Sequence, residues 1–378
     1  MNAYRPAWLE ISPANLQYNC ETVKKLVGDQ VKVCAVVKAN GYGHGAAEVS
    51  KACLAAGADF LAVAMLSEAM ELREAGFSCP ILILGWTPEE GYEQAIDNDI
   101  RLAMFDKEEA QRLSAKAQAM GKEALVHLKL DTGMSRIGFQ ANEAGMLTAQ
   151  AIMELPGITV EGIFSHFSKA DEADKTFARN QLTTFKKFNE DLQARTGVRI
   201  PIQHMAASSG IIDLPEGHLD MVRPGIMLYG FQPSSEMHNV ADLKPALTWK
   251  ARVARVQLLP KGRVIGYNGT FELKEDTLVA TVPVGYADGY NRLLSNFGYV
   301  ICRGKKLPII GRVCMDQFMI DASQLPDMRT GDTVTLLGED GDVSITVTEM
   351  ASMLKTIEHE IVCGIAPRVP KFYVDENF

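Results

Sequence analysis

The segment Ala35-Val36-Val37-Lys38-Ala39-Asn40-Gly41-Tyr42-Gly43-His44-Gly45 ends an apolar run on a lysine and continues through three glycines. A lysine emerging from an apolar strand can be desolvated, which lowers its pKa and makes the amine a nucleophile able to form a Schiff base with an aldehyde. Position alone favours a plainer alternative, a lysine that snorkels from a strand end into water. The glycines permit a tight turn and a close backbone approach to a ligand. They do not form a nucleotide-binding loop, because no Gly-Lys-Ser or Gly-Lys-Thr closes the pattern.

Further along, His127-Leu128-Lys129-Leu130-Asp131-Thr132-Gly133-Met134-Ser135-Arg136 carries an arginine whose planar fork suits a carboxylate; a surface arginine is the alternative. His166 in Phe164-Ser165-His166-Phe167 is either a site residue or a packed core histidine. Ser208 and Ser209 fall at a helix start, where free backbone N–H groups attract anions. Met221-Val222-Arg223-Pro224-Gly225-Ile226 holds another arginine. Ile265-Gly266-Tyr267-Asn268-Gly269, Pro283-Val284-Gly285-Tyr286 and Gly311-Arg312-Val313-Cys314-Met315-Asp316 complete the set.

Val-Val-Lys-Ala-Asn-Gly-Tyr-Gly-His-Gly resembles the cofactor-lysine signature of the alanine racemase family, and the other segments extend that resemblance along nearly the whole chain. The resemblance implies that Lys38 holds pyridoxal phosphate covalently. Tyr42, Ser208 and the amides of Gly225 and Ile226 then bind its phosphate. Arg136 reaches the ring hydroxyl and the substrate carboxylate, with Lys129 matching a lysine that is carbamylated in some relatives. His166 lies near the ring, His204 plays a supporting role, and Arg223 meets the pyridine nitrogen. A carboxylate at that nitrogen would keep it protonated and the ring a strong electron sink. Arginine only donates, so the nitrogen stays unprotonated and side reactions such as transamination are disfavoured.

Inverting a stereocentre needs a proton taken from one face and returned to the other. By resemblance Lys38 and Tyr267 are the two bases, although tyrosine is a poor base at an unperturbed pKa near about 10. Tyr286 narrows the substrate entrance, and Met315 and Asp316 contribute to the substrate carboxylate pocket. In the family these second-domain residues come from the partner subunit, which implies a head-to-tail homodimer with two shared sites. The implied reaction interconverts L-alanine and D-alanine and supplies D-alanine for peptidoglycan.

Two positions depart from the family pattern. Ala207 stands where His-x-x-Asn-Ser has its asparagine, and Pro367 stands where a tyrosine is common. Proline offers neither hydroxyl nor N–H, so a serine racemase or one of broader specificity is the alternative. Readings of another class are a barrel-type decarboxylase, whose cysteine signature and glycine-rich phosphate loop are not found, and a non-catalytic pyridoxal-phosphate carrier, for which the chain is too long.

The elements that position these residues follow a pattern. Apolar runs at 31–37, 60–64, 81–84, 100–104, 125–130, 158–164, 200–204 and 219–222 give eight expected strands, with helical patterns such as 46–56, 67–75 and 107–120 between them. Asp106 and Ser67 sit where N-caps belong. Eight alternations predict an α/β (β/α)8 TIM-like barrel over 1–240, and the site residues fall at strand ends, where barrels place chemistry. A doubly wound open sheet is the alternative, weakened in its dinucleotide-binding form because no G-x-G-x-x-G follows an early strand. After residue 240 short strands at 251–259, 277–283, 299–303, 306–310, 333–337 and 343–347 predict a mostly β domain over 241–378, with the extreme N-terminus available to join it.

Composition narrows the class. The chain has 378 residues, 47% of them hydrophobic, and a net charge of -9 with no cluster of basic residues, which argues against a nucleic-acid partner. No apolar run approaches the length of a membrane span, and the N-terminus lacks a signal-peptide core. Seven scattered cysteines without a C-x-x-C spacing read as reduced thiols, not as a disulfide framework or a metal site. A cytoplasmic protein is therefore expected, and the family resemblance implies an enzyme acting on a small amino acid.

Overall fold

Eight short apolar segments pair in parallel, because each is buried on both faces and must be covered by the helix that follows it. The computed structural model describes residues 5–374. The strands run, in hydrogen-bonded order, Met221–Val222, Lys32–Val36, Phe60–Val63, Ile81–Ile83, Ile100–Met104, Ala124–Asp131, Ile158–Phe164 and Ile202–His204. The first and last of this series are joined by Asp220 N–H to Gln203 O at 3.0 Å, Arg223 N–H to Ala206 O at 2.9 Å and a bridge between Ala207 and Arg223. The sheet is thus a nearly closed (β/α)8 barrel, whose strands bury Val33, Leu61, Ile81, Val126, Leu128 and Ile163.

Helices at Ala46–Ala55 and Lys107–Met120 occupy their expected places, and Asp106 caps the second by accepting from Glu109 N–H at 2.9 Å. Ser67 is not an N-cap. The helix Leu66–Glu74 starts before it, with extended Met65 as the flanking residue. Glu68 in the first turn reaches back instead: its carboxylate accepts from the amide of Ala64 at 2.7 Å and ties down the chain that enters the helix.

By its contacts the chain forms two compact units: Leu16–Gly41 with Ala46–Lys244, and the residues up to Asn15 with Tyr42–Gly45 and everything from Pro245 onward. The second unit is built on an antiparallel sheet. The strand Ala7–Ile11 pairs antiparallel with Leu247–Arg252 and parallel with Lys371–Tyr373, so both ends of the described chain meet there.

The expected strand 251–259 is two strands, Leu247–Arg252 and Arg255–Leu259. Val253 bonds to Asp332 O and Ala254 to Thr281 O, both at 2.8 Å, so the chain changes partner between them. A strand at Phe318–Asp321 was not expected, and it bridges Thr277–Val282 and Lys305–Ile310. The expected strand 343–347 stops at Ile345, because Thr346 caps the helix Val347–Leu354 by accepting from Glu349 N–H at 3.0 Å. No helix among the described residues is long and apolar enough to cross a membrane.

Candidate active site

In the barrel unit the candidate residues collect at the carboxyl ends of the strands. Lys38 follows Val37 after the strand Lys32–Val36, and the next four residues are left-handed: Ala39, Asn40, Gly41 and Tyr42 have φ of 52°, 52°, 60° and 50°. Three are not glycine, and a Cβ in this conformation costs roughly 1–2 kcal/mol per residue. Two side chains hold the turn. Glu68 accepts from Ala39 N–H at 2.6 Å, and Asn40 Oδ1 accepts from Ala46 N–H at 2.9 Å.

Arg223 follows the strand Met221–Val222 and is 3% exposed. Its Nη1 donates to His204 Nδ1 at 2.7 Å, and its Nη2 to Ser165 O at 2.8 Å and Met205 O at 3.0 Å, with His166 Nδ1 at 3.2 Å. Burial lowers its pKa to about 10, with Arg136 pushing the same way, so it stays charged at neutral pH. His166 is held well below its ordinary value by burial and then by Arg223, Arg136, Lys129 and Lys38. All four basic side chains thus act on this ring electrostatically, and Arg223 touches it.

Lys129, at the end of Ala124–Asp131, is brought down to about 7 by burial, with Arg223 and Arg136 adding to that. Its Nζ donates to Leu130 O at 3.0 Å. The nearby carboxylate of Asp131 is already occupied by the amides of Gly133 at 2.9 Å and Ser135 at 3.0 Å and by Gln140 at 3.1 Å. The site is electropositive, with little internal compensation.

Ser208 opens the helix Ser208–Asp213, and its Oγ accepts from the amides of Gly225 at 3.0 Å and Met227 at 3.4 Å. Ile226 begins the next turn, Ile226–Tyr229, where a first amide has no partner inside the helix. A primary amine, a hydroxyl with helix-start amides, and surplus cationic charge form a donor set that fits an aldehyde cofactor carrying a phosphate. Ala207 takes the N-cap position of Ser208–Asp213 but supplies no side-chain cap.

The second unit holds the other candidates. Tyr42 is buried against His359, ring centroids 5.8 Å apart, and burial followed by the neighbouring Cys363 holds its phenol above the ordinary value. Gly43 and Gly45 have positive φ, and a Cβ on either would strike Val362 O or the Tyr373 hydroxyl. The close approach expected of these glycines is thus to the chain itself.

Tyr267 sits in the short turn Tyr267–Gly269 and is 69% exposed. The amides of Tyr286 and Ala287 bond to Cys314 O and Met315 O, both at 3.0 Å, which sets Tyr286 beside Met315. Arg368 reaches Asp316 and Asp288 at 2.7 Å each, and Arg5 also pairs with buried Asp288. The residue after Pro367 thereby fixes Asp316.

Residues 11–233 match the family "Alanine racemase, N-terminal domain" and residues 246–373 match "Alanine racemase, C-terminal domain". The alanine racemase of Methanococcus maripaludis is 44% identical over 370 residues, covering 98% of this chain and 99% of that one. The solved alanine racemase of Clostridium difficile 630 superposes with a TM-score of 0.93 at 38% identity, covering 98% of this chain and 97% of that one.

The chain belongs to the alanine racemase family. Its reaction is pyridoxal-phosphate-dependent racemisation of alanine. A solved histidine racemase from Leuconostoc mesenteroides also matches this enzyme, with a TM-score of 0.91 at 30% identity over 98% of each chain.

Sequence reasoning gave no role to several residues that build the enzyme's site. Glu68 ties down both the chain that enters its helix and the Lys38 turn. Arg368 holds Asp316. His127 was visible only as one polar residue within a strand, and Glu161 and Arg101 as charges on neighbouring strands. Glu68, Glu161 and Arg101 lie in no motif that points to chemistry, and His127 enters only as the first residue of the segment that carries Arg136.

Proposed function

We propose that Lys38 and Tyr267 of the partner subunit are the two bases of this alanine racemase, facing opposite sides of the substrate Cα. Pyridoxal phosphate, when bound, supplies an electron sink for the pair left at Cα when its proton leaves. One base takes the α-proton and the other returns a proton from the opposite face, so the configuration inverts. Tyr42, Ser208 and the amides of Gly225 and Ile226 would hold the phosphate. Arg223 presents a donor to the ring nitrogen and no transferable proton. Arg136 would bind the ring hydroxyl and the substrate carboxylate, with His166 alongside the ring. Met315 and Asp316 would complete the carboxylate pocket and Tyr286 its entrance.

The observation that carries this reading is the combined electrostatic action of Lys38, Lys129, Arg136 and Arg223 on His166. A site so rich in cationic groups suits a ligand with a phosphate and a carboxylate. Burial also lowers the pKa of a lysine such as Lys129 into the range where a neutral amine reacts. That state favours carbamylation of Lys129, which would place a negative charge beside Arg136.

The shared homodimer is supported by the surroundings of Tyr267. Val264, Leu293, Phe297 and Met315 are all exposed, Leu293 to 71%. Asn296 binds Thr270 at 3.2 Å, so the loop carrying Leu293 and Phe297 lies against the Tyr267 segment. An apolar surface of this kind calls for a cover, and a second copy supplies one.

The test mixes inactive Lys38→Ala and Tyr267→Phe proteins after unfolding and refolding. Shared sites restore about a quarter of wild-type activity, since half the dimers are mixed and each has one intact site. No recovery would exclude shared sites, and activity in Lys38→Ala alone would exclude the base assignment.

Substrate preference is the second reading. The family scaffold also serves a protein named for histidine, and Pro367 removes a hydroxyl beside the residue that fixes Asp316. Serine is therefore the first alternative substrate, and racemisation of alanine and serine measured side by side decides it. The product D-alanine would serve peptidoglycan synthesis in the cytoplasm.

A further inference from the structure

Arg223 is buried, charged and has no carboxylate in direct contact among the described residues. Its charge connects to one through two imidazoles. Arg223 Nη1 meets His204 Nδ1 at 2.7 Å, and His204 Nε2 meets His127 Nδ1 at 2.8 Å. His127 Nε2 meets Glu161 Oε2 at 3.1 Å. Arg101 closes the chain on Glu161, with Nε at 3.0 Å and Nη2 at 3.3 Å, and is itself tied to Asp99 O at 2.8 Å.

The donor inventory admits one proton arrangement along this chain. A guanidinium only donates, so His204 Nδ1 must accept and its proton sits on Nε2. That N–H points at His127 Nδ1, which must accept in turn. The His127 proton is therefore on Nε2 and needs an acceptor. A carboxylate is acceptor only, and Glu161 provides it. Both rings are neutral in this arrangement, in keeping with the burial that lowers both their pKa values. Burial alone would raise the Glu161 carboxyl, but hydrogen bonds from His127 and Arg101 outweigh it and bring it down to about 2.

The backbone is shaped for this contact. Strand pairing runs Val126 with Val160 and then His127 with Gly162, so Glu161 is the extra residue of a bulge. Bulges re-aim a side chain at the cost of a ladder bond. Gly162 is the only residue type that fits opposite His127, since a Cβ there would lie 2.6 Å from the ring Cε1. His204 is further fixed by stacking on Phe164 at 5.0 Å with the rings 7° apart.

We propose that Glu161, supported by Arg101, is a positioning residue for Arg223 and acts through His127 and His204. It touches neither substrate nor cofactor. It terminates a one-way hydrogen-bond chain that holds the guanidinium as a fixed donor at the mouth of the barrel. The consequence for racemisation rests on the reading of Arg223 given above, whereas the chain itself does not.

Nitrogen-15 spectra of histidine-labelled holoenzyme test the chain directly, with the two rings assigned through His127→Gln and His204→Gln. Both rings should show a neutral Nε2–H form between neutral and mildly alkaline pH. An Nδ1–H form or an imidazolium at either ring overturns the proposal, whether or not any variant folds. Glu161→Leu should shift the His204 signals and lower kcat on the order of 10²-fold through misplacement of Arg223. Glu161→Gln should retain both, because its amide oxygen still accepts.

A folded Glu161→Leu enzyme with wild-type His204 signals and kcat would also overturn the proposal. If the histidine pattern holds but Arg223→Lys racemises alanine normally, the role given to Arg223 fails while the chain stands.

Discussion

The barrel mouth and the Tyr267 region of the second unit are prepared in opposite ways. Arg223 and Lys129 are each 3% exposed and His166 is half-buried, whereas Tyr267 is 69% exposed and Tyr286 and Met315 are exposed too. Around Arg223, Nη1 is tied to an imidazole and Nη2 to two carbonyls. The difference teaches where each half gets its order. The barrel fixes and desolvates its groups by its own packing, so pKa shifts arise within the chain. The second unit presents its groups on an exposed surface, where its own packing does not desolvate them.

Removing one residue from each half should separate these cases. Arg223→Leu leaves His204 Nδ1 and the carbonyls of Ser165 and Met205 buried without a donor. It should cost about 3–5 kcal/mol of stability, since each buried acceptor left unsatisfied costs about 1–3 kcal/mol, together with most of the activity. Chemical denaturation measures the first effect; a loss within the range of surface substitutions would refute the picture of a packed anchor. Tyr267→Phe should do the reverse. Its stability should stay within about 0.5 kcal/mol of wild type, while kcat falls by about 10²–10⁴-fold through loss of an acid–base group. A destabilised Tyr267→Phe monomer would show that the residue is structural.

This contrast also explains what the sequence could reveal. All eight barrel strands were legible because buried parallel strands read as continuous apolar runs. Arg136, His166, Ser208 and Arg223 were singled out as candidates because they lie at or shortly after strand ends within motifs. Glu161 was not. It is one charged residue inside an apolar strand, and its reach to His127 depends on a bulge that no local signal announces. The helix start at Leu66 was misread for a similar reason, since the helix begins without a side-chain cap and Ser67 only looked the part. In the second unit the break at Val253 and Ala254 carries no glycine or proline, so two strands read as one.

A pH experiment sharpens the comparison with a smaller effect. Lys129 is lowered from its ordinary value to about 7, first by burial. Between about pH 7 and 10.4 the unfolded chain binds a proton there that the folded chain has released. Stability should therefore rise with pH across that window relative to Lys129→Met, as read from denaturation midpoints at pH 7 and pH 9. Parallel midpoints would mean that the amine does not titrate. A carbonyl signal gained from carbon-13 bicarbonate would then identify carbamylation as the reason.

The smallest effect probes strain beside Lys38. Ala39 is exposed, so its methyl group contributes little packing, yet its φ of 52° lies where a Cβ is unfavourable. Glycine removes a cost of roughly 1–2 kcal/mol. It also loses more backbone entropy on folding, by roughly 0.5–1 kcal/mol. Ala39→Gly should accordingly stabilise the enzyme by about 0.5 kcal/mol, the difference of those two terms. The hydrogen bond from its amide to Glu68 survives the change, so the turn keeps its latch. Activity should nevertheless fall, because the same substitution lets the turn relax and loosens Lys38. A variant that is both more stable and less active would show that the barrel half stores strain to aim its lysine. A loss of stability would place the strain elsewhere in the turn, at Asn40 or Tyr42.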